Sequence, residues 1–157
     1  MNHIMSAQES TKRKQISPEN LHISSFIIVR KNDDDSRILF LKASQNHPLP
    51  FRRRKLLLPA GMLAYGEHPK DAAQRILRDQ LENSGNVGEP RFLEMQSYLG
   101  AHWDICFVFE CKDTGGRVKG SKSPNFEGAS YHDRNSLPRS EIAPDHLEVL
   151  DSLKNLD

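Results

Sequence analysis

Cysteine, aromatic residues and long apolar runs are all scarce in this chain of 157 residues. Its two cysteines, Cys106 and Cys111, cannot build a disulfide framework and do not have the spacing of zinc ligands. The apolar stretches are short, whereas a membrane helix needs about 20 apolar residues and a secretory signal at least about 7. The sequence therefore predicts neither, and we expect a cytoplasmic protein with reduced thiols that does not enter a membrane.

An excess of charge of one sign is also missing. The chain has 22 Lys and Arg residues against 21 Asp and Glu residues, so its formal net charge is +1. Proteins that coat nucleic acids carry a strong basic excess, and this balance argues against that class. The length fits one domain. Residues 1–20 are polar and show no helical or alternating period, so we predict a flexible tail there and a single domain over residues 21–157.

The hydrophobic pattern predicts both strands and helices. A helix is expected over residues 69–82, because Pro69 suits a first helical position and Ala72, Ala73, Ile76, Leu77 and Leu81 recur at three- and four-residue steps. The predicted strands cover residues 23–30, 37–43, 91–99 and 103–111, with a short one around Tyr131, and a last helix covers 144–156. Strands on either side of one helix, with another helix last, indicate a mixed α/β domain.

Residues 56–85 carry the most informative motif, LLLPAGMLAYGEHPKDAAQRILRDQLENSG. The segment resembles the Nudix box, G-x5-E-x7-R-E-U-x-E-E-x-G-U, in which U is aliphatic. Gly61, Glu67, Arg75 and Leu77 stand at the glycine, first glutamate, arginine and aliphatic positions. Downstream, a segment running from Glu127 through Tyr131-His132 to Leu137-Pro138 resembles the part of the family that precedes the C-terminal helix. The resemblance implies an α/β/α sandwich with a mixed β-sheet.

The resemblance also implies an activity. Nudix hydrolases use water to cleave a pyrophosphate bond of a nucleoside diphosphate linked to another moiety. Carboxylates on one helix face hold Mg2+ or Mn2+, which bridges the phosphates and neutralises their charge. The expected partner is therefore a small nucleotide derivative, and homodimers are common in the family.

This chain departs from the box at its metal-binding carboxylates. The glutamate after the arginine is replaced by Ile76, and the two later glutamates by Asp79 and Gln80. The second box glycine is Glu82 and the final aliphatic position is Asn83. The side chain of Ile76 has no atom that can bind a cation, and the neutral Gln80 contributes no charge.

The remaining acidic residues define a candidate metal site. We predict that a divalent cation lies between Glu67, Asp79, Glu82 and Glu127, with weaker affinity than in a full box. In this interpretation Asp79 and Glu82 share one helix face. Glu67, Arg75 and Asp79 are the candidate catalytic residues.

Each of these acidic residues also has a purely structural interpretation. Asp79 could pair with Arg75, and Glu82 with Arg78, as ordinary surface ion pairs. Glu67 could orient the loop or the Arg75 guanidinium instead of binding metal.

A basic run lies just before the box. We assign Arg52, Arg53 and Arg54, with the box glycine Gly61, as candidate substrate-binding residues, because a basic loop there can receive phosphates or RNA. A solvated loop is the alternative.

Two functions therefore remain open. The first is a metal-dependent Nudix hydrolase. The second is a Nudix-fold module that binds a nucleotide, RNA or protein partner without turnover, which the substitutions Ile76 and Gln80 favour.

Overall fold

The computed structural model describes residues 20–115, 118, 120 and 123–154. The predicted tail, apart from Asn20, lies outside these ranges. Within them the chain forms seven strands: β1 (Leu21–Lys31), β2 (Asp34–Ala43), β3 (Leu56–Leu57), β4 (Ala60–Met62), β5 (Arg91–Leu99), β6 (Trp103–Lys112) and β7 (Phe126–Asp133). Two helices are present in the same ranges, α1 (Pro69–Gln80) and α2 (Pro144–Asp151), and single 3-10 turns lie at Pro50–Arg52, Ser84–Asn86, Arg134–Ser136 and Arg139–Glu141.

The strands form one mixed sheet in the order β3-β2-β1-β6-β5, with β4 paired to β1 and β7 paired to β2. β1 and β6 run parallel over ten residue pairs, from Leu21↔Trp103 to Arg30↔Lys112. The other pairings are antiparallel. The short β4 continues the sheet beside the first half of β1, where Gly61 lies opposite Ser25. The glycine of the box is therefore anchored to the central strand.

A helix covers each face of the sheet, which confirms the predicted α/β/α sandwich. Alternate residues of β1 point to opposite faces, as the pleat of a strand requires. One face packs Ile27 and Val29 against Ile76 and Leu77 of α1. The opposite face packs Phe26 and Ile28 against Val149 of α2. Within the described ranges, neither helix is long and apolar enough to cross a membrane.

Both helices end earlier than the sequence predicts. α1 ends at Gln80 rather than at residue 82, because Leu81 turns to an extended conformation at φ −115° and ψ 126°. Glu82 therefore does not continue the helix, and the prediction that it shares a helix face with Asp79 is wrong. The backbone N–H of Glu82 instead donates to the Gly120 carbonyl at 3.2 Å. α2 ends at Asp151 rather than at residue 156.

Candidate functional site

The loop between β4 and α1 is held by an ion pair across the first half of the box. Arg75 Nε donates to Glu67 Oε2, and an Arg75 terminal nitrogen donates to Glu67 Oε1, both at 2.9 Å. The same terminal nitrogen reaches the Met62 carbonyl of β4 at 3.0 Å. The Ala64 N–H completes the set by donating to Glu67 Oε1 at 2.9 Å. The structure thus shows Glu67 orienting the loop and Arg75, one of the roles that the sequence left open.

These hydrogen bonds change the acidity of the carboxyl group. The hydrogen bonds from Arg75, and next the one from the Ala64 backbone, lower the pKa of Glu67 to about 2. Hydrogen bonds to the charged form of a carboxylate favour that form. Glu67 is therefore charged at neutral pH, with both of its oxygens engaged by donors.

Ile76 lies in the core rather than beside the cleft. Its side chain is 2% exposed. A Cβ at Gly61 would come within 3.3 Å of Ile76 Cγ1 and 3.4 Å of Ile76 Cδ1, so a side chain larger than glycine would require Ile76 to shift by a few tenths of an ångström. Ile76, which stands where the box pattern has a glutamate, therefore packs α1 closely against β4.

Gln80 connects the end of α1 to β4 with its side-chain amide. Gln80 Nε2 donates to the Ala60 carbonyl at 2.8 Å, and the Ala60 N–H donates to Gln80 Oε1 at 3.3 Å. A carboxylate accepts hydrogen bonds but cannot donate them. Only the amide of Gln80, and not the glutamate of the box pattern, can satisfy both backbone groups.

The structure does not assemble the four predicted metal ligands. Asp79 is on α1 with its side chain 65% exposed, and its Oδ2 lies 3.8 Å from Arg75 Nη1. Glu82 is exposed beyond the end of α1, and Glu127 is exposed on β7. Across the described ranges, no three His, Cys, Asp or Glu side chains are grouped closely enough to hold a metal ion. Among the glutamate positions of the box that lie on α1, Asp79 is the acidic residue, and its side chain is exposed.

The three arginines of the basic run have different roles. Arg52 forms an ion pair with Asp145 at the start of α2. Arg53 Nε donates to the His47 carbonyl at 2.8 Å, and an Arg54 terminal nitrogen donates to Gln45 Oε1 at 2.9 Å. Arg54 has a positive φ of 61°. Arg53 and Arg54 therefore contact their own loop, while Arg52 reaches across to α2.

Two neighbouring cavities, which we call the cleft, lie between the sheet, the basic run and α2. The larger has a volume of about 640 Å³ and the smaller about 260 Å³. Arg52, Ala60 and His146 line both. Asp79 lines the smaller cavity, and Gly61 lines the larger one. The cleft thus brings together predicted site residues from three separate parts of the chain.

The walls of the larger cavity are partly apolar. They include Leu49, Phe51 and Met62, which are 39%, 55% and 56% exposed. Clefts lined by apolar side chains with a few polar groups are typical of small-molecule sites. The arrangement suits a ligand with a flat apolar part and a polar edge.

Two residues of the cleft, Asp145 and His146, are not predicted as site residues by the sequence. The hydrophobic pattern predicts the helix that contains them, but not that the first turn of this helix faces Arg52 and β4. His146 is 2% exposed, its Nδ1 accepts from the Leu58 N–H at 3.0 Å, and its ring lies 5.0 Å from that of Phe26. Burial lowers the pKa of His146 well below its usual value, so the ring is neutral. The available signal was weak: a histidine at the start of an otherwise apolar helix face.

Comparison with protein families gives the same answer as the motif. The model of the NUDIX domain matches residues 21–153. The 8-oxo-dGDP phosphatase NUDT18 of Mus musculus is 38% identical over 96 residues, and that of Homo sapiens is 35% identical over 96 residues. Each alignment covers 60% of this chain and 28% of the relative. The chain therefore matches less than a third of the length of these relatives.

Solved structures show the same fold at low sequence identity. The MutT NUDIX hydrolase from Burkholderia pseudomallei has a TM-score of 0.66 at 15% identity. The superposition includes 85% of this chain and 98% of that structure. The NUDIX domain of Shewanella oneidensis NrtR, solved with ADP ribose, has a TM-score of 0.64 at 13% identity. Here the superposition includes 94% of this chain and 96% of that structure. At these identities the likeness is one of fold.

Proposed function

Because this chain belongs to the Nudix hydrolase family, we propose that it hydrolyses a pyrophosphate bond of a nucleoside diphosphate derivative bound in the cleft. The family match covers most of the chain. The relatives that act on 8-oxo-dGDP favour a nucleoside diphosphate as the substrate class. The catalytic candidates are Glu67, Arg75 and Asp79, of which Glu67 and Arg75 position the loop.

The observation that carries the proposal is the meeting of Arg52, Asp79 and Gly61 at one cleft. Arg52, paired with Asp145, supplies hydrogen-bonding groups for a polar edge of the ligand, and Asp79 supplies a carboxylate on a neighbouring wall. The apolar side chains of the larger cavity offer a surface for a base or sugar. A nucleotide presents the complementary chemistry, with a flat ring at one end and phosphates at the other.

The donor set fits a divalent cation that arrives with the ligand rather than one that is bound in advance. The described residues contain no cluster of three ligands, but Mg2+ is commonly held by one or two carboxylates together with substrate phosphates. Asp79 would supply the protein carboxylate, because its side chain is exposed at the wall of the smaller cavity. Such a cation neutralises phosphate charge and activates water.

Product release from nucleoside diphosphate derivatives in Mg2+ and in Mn2+ tests this proposal. We expect turnover by the native chain and its loss in Asp79→Asn. The same substitution at Asp71, exposed in the first turn of α1, is the matched control and should leave turnover unchanged. Turnover that survives in Asp79→Asn would remove Asp79 from the mechanism.

A second candidate function is binding of the nucleotide without turnover. The burial of Ile76 and the two hydrogen bonds of Gln80 favour it, because both positions have exchanged a box carboxylate for contacts with β4. Measurable nucleotide binding with no product released in either metal would select this function.

A further inference from the structure

Three polar atoms at the start of α2 and on Arg52 have no hydrogen-bond partner among the described residues, although each is almost fully buried. They are Arg52 Nε, Asp145 Oδ1 and His146 Nε2. All three residues line the larger cavity of the cleft. A buried donor or acceptor without a partner is costly. Three of them at one cavity indicate a ligand that supplies the partners.

The proton on His146 can be placed from its hydrogen bonds. Because the Leu58 N–H donates to Nδ1, that nitrogen carries no proton. In a neutral imidazole the other nitrogen is then the donor. His146 Nε2 is therefore a neutral N–H donor in the wall of the cleft.

The other two atoms, Arg52 Nε and Asp145 Oδ1, belong to the ion pair between these residues but do not take part in its contact. An Arg52 terminal nitrogen contacts Asp145 Oδ2, which leaves Arg52 Nε as a donor and Asp145 Oδ1 as an acceptor. The charges of the pair cancel. This part of the cleft is therefore suited to a neutral polar group rather than to a phosphate.

We propose that Arg52, Asp145 and His146 read the edge of a nucleobase and select an acceptor–donor–acceptor edge, in which an N–H lies between two carbonyl oxygens. Two donors and one acceptor in the protein match the two acceptors and one donor of that edge. Uracil and thymine present it at O2, N3–H and O4, and an 8-oxopurine with a 6-oxo group presents it at O6, N7–H and O8. This inference rests on the proposed function only in that the cleft takes a nucleoside diphosphate.

Amino-bearing edges do not match. Cytosine has an amino group at one end and adenine has one beside an unprotonated ring nitrogen, so a donor of the ligand would face a donor of the protein. Unmodified guanine offers two acceptors and no donor at O6 and N7, which leaves Asp145 Oδ1 unpaired. A site with buried polar groups discriminates strongly against a ligand that leaves them unpaired.

Calorimetric titration with two matched pairs of ligands tests this selection. The pairs are dUDP with dCDP, and 8-oxo-dGDP with dGDP, each measured in EDTA so that no turnover occurs. We expect the member with the acceptor–donor–acceptor edge, dUDP or 8-oxo-dGDP, to bind at least about tenfold more tightly, the factor that corresponds to one unpaired buried group. Equal affinities within both pairs would overturn the inference while leaving the proposed function intact. No binding by any of the four, in EDTA and equally in Mg2+, would overturn both.

Two substitutions of His146 separate its structural contact from its contact with the base. In His146→Asn, the amide oxygen occupies the position of Nδ1 and can accept from the Leu58 N–H, but no donor reaches the position of Nε2. In His146→Gln, the amide nitrogen occupies the position of Nε2. We expect the affinities for dUDP and 8-oxo-dGDP to fall about tenfold in His146→Asn and to recover in part in His146→Gln. His132→Asn, on β7, is the matched control and should keep both affinities.

Affinities for dUDP and 8-oxo-dGDP that are unchanged in His146→Asn would contradict the role assigned to this residue. Should His146→Asn fail to fold, Arg52→Lys decides, because lysine keeps a charge for Asp145 but has no Nε–H. We expect Arg52→Lys to lower the affinities for dUDP and 8-oxo-dGDP, and unchanged affinities there would equally count against the inference.

Discussion

The two halves of the box hold β4 by different chemistry. In the first half, Glu67 and Arg75 follow the family pattern and fix the loop through charged hydrogen bonds, one of which reaches the Met62 carbonyl. In the second half, Ile76 and Gln80 depart from the pattern and fix β4 through close packing and an amide. A motif position can therefore keep its place in the fold while its chemistry changes from metal binding to structural support.

A charge at Ile76 should destabilise the fold more than any other substitution in the box. Ile76→Glu places a carboxylate in the core against Gly61, where no cation or donor compensates it. Burying an uncompensated charge costs several kcal/mol, so we expect a loss of about 3 kcal/mol or more. Urea unfolding measures the change. Ile76→Val is the control and should cost only about 0.5–1.5 kcal/mol. Unaltered stability in Ile76→Glu would mean that this side chain faces the cleft after all.

Gln80→Glu tests the hydrogen bonds between Gln80 and Ala60 of β4. The carboxylate can accept from the Ala60 N–H but leaves the Ala60 carbonyl without its donor. Since losing the partner of a buried polar group costs about 1–3 kcal/mol, and Gln80 is half-buried, we expect a loss of about 1 kcal/mol. Gln74→Glu, on the same helix, controls for the added charge. Equal losses in both variants would assign the effect to charge rather than to the link with β4.

The first half of the box should respond to pH. The folded-state pKa of Glu67 is about 2, lower than its ordinary value of 4.5. A lowered pKa contributes stability above the unfolded-state value, and this contribution is lost as the pH falls from about 4.5 to about 2. We expect Glu67→Gln to lower the melting temperature at pH 6 and to have little effect near pH 2. A difference that does not change with pH would show that the ion pair does not stabilise the fold.

Asp79→Asn should have the smallest effect on stability. The side chain is 65% exposed and its contact with Arg75 is 3.8 Å long, and exposed ion pairs contribute little to stability. We expect a change of no more than about 0.5 kcal/mol in the free energy of unfolding. A clearly larger loss would assign Asp79 a structural role and weaken its candidacy as a metal ligand.

The sequence predicted what depends on local pattern and on the motif. The start of α1 at Pro69, its buried stripe and the span of β5 follow from residues close together in the chain. The family resemblance also predicted the α/β/α sandwich. β4 was missed because its three residues form a strand only by pairing with β1.

The candidate site was less predictable for the same reason. Arg52 meets Asp145 and His146 across more than 90 residues of sequence, and no spacing rule connects such distant positions. The end of α1 depended on how Leu81 packs in the core rather than on helical propensity, so Glu82 was assigned to a helix that had already ended.

We propose that Asp79, the acidic residue at a metal-binding position of the box that is exposed on α1, holds a cation only together with a bound nucleotide. Calorimetry tests it most directly, by titrating a nucleoside diphosphate into the native chain, Asp79→Asn and Asp71→Asn, each in EDTA and in Mg2+. We expect Mg2+ to tighten binding of the nucleoside diphosphate to the native chain and to Asp71→Asn, but not to Asp79→Asn. Equal affinities for the native chain in EDTA and Mg2+, or the same gain in Asp79→Asn, would contradict it.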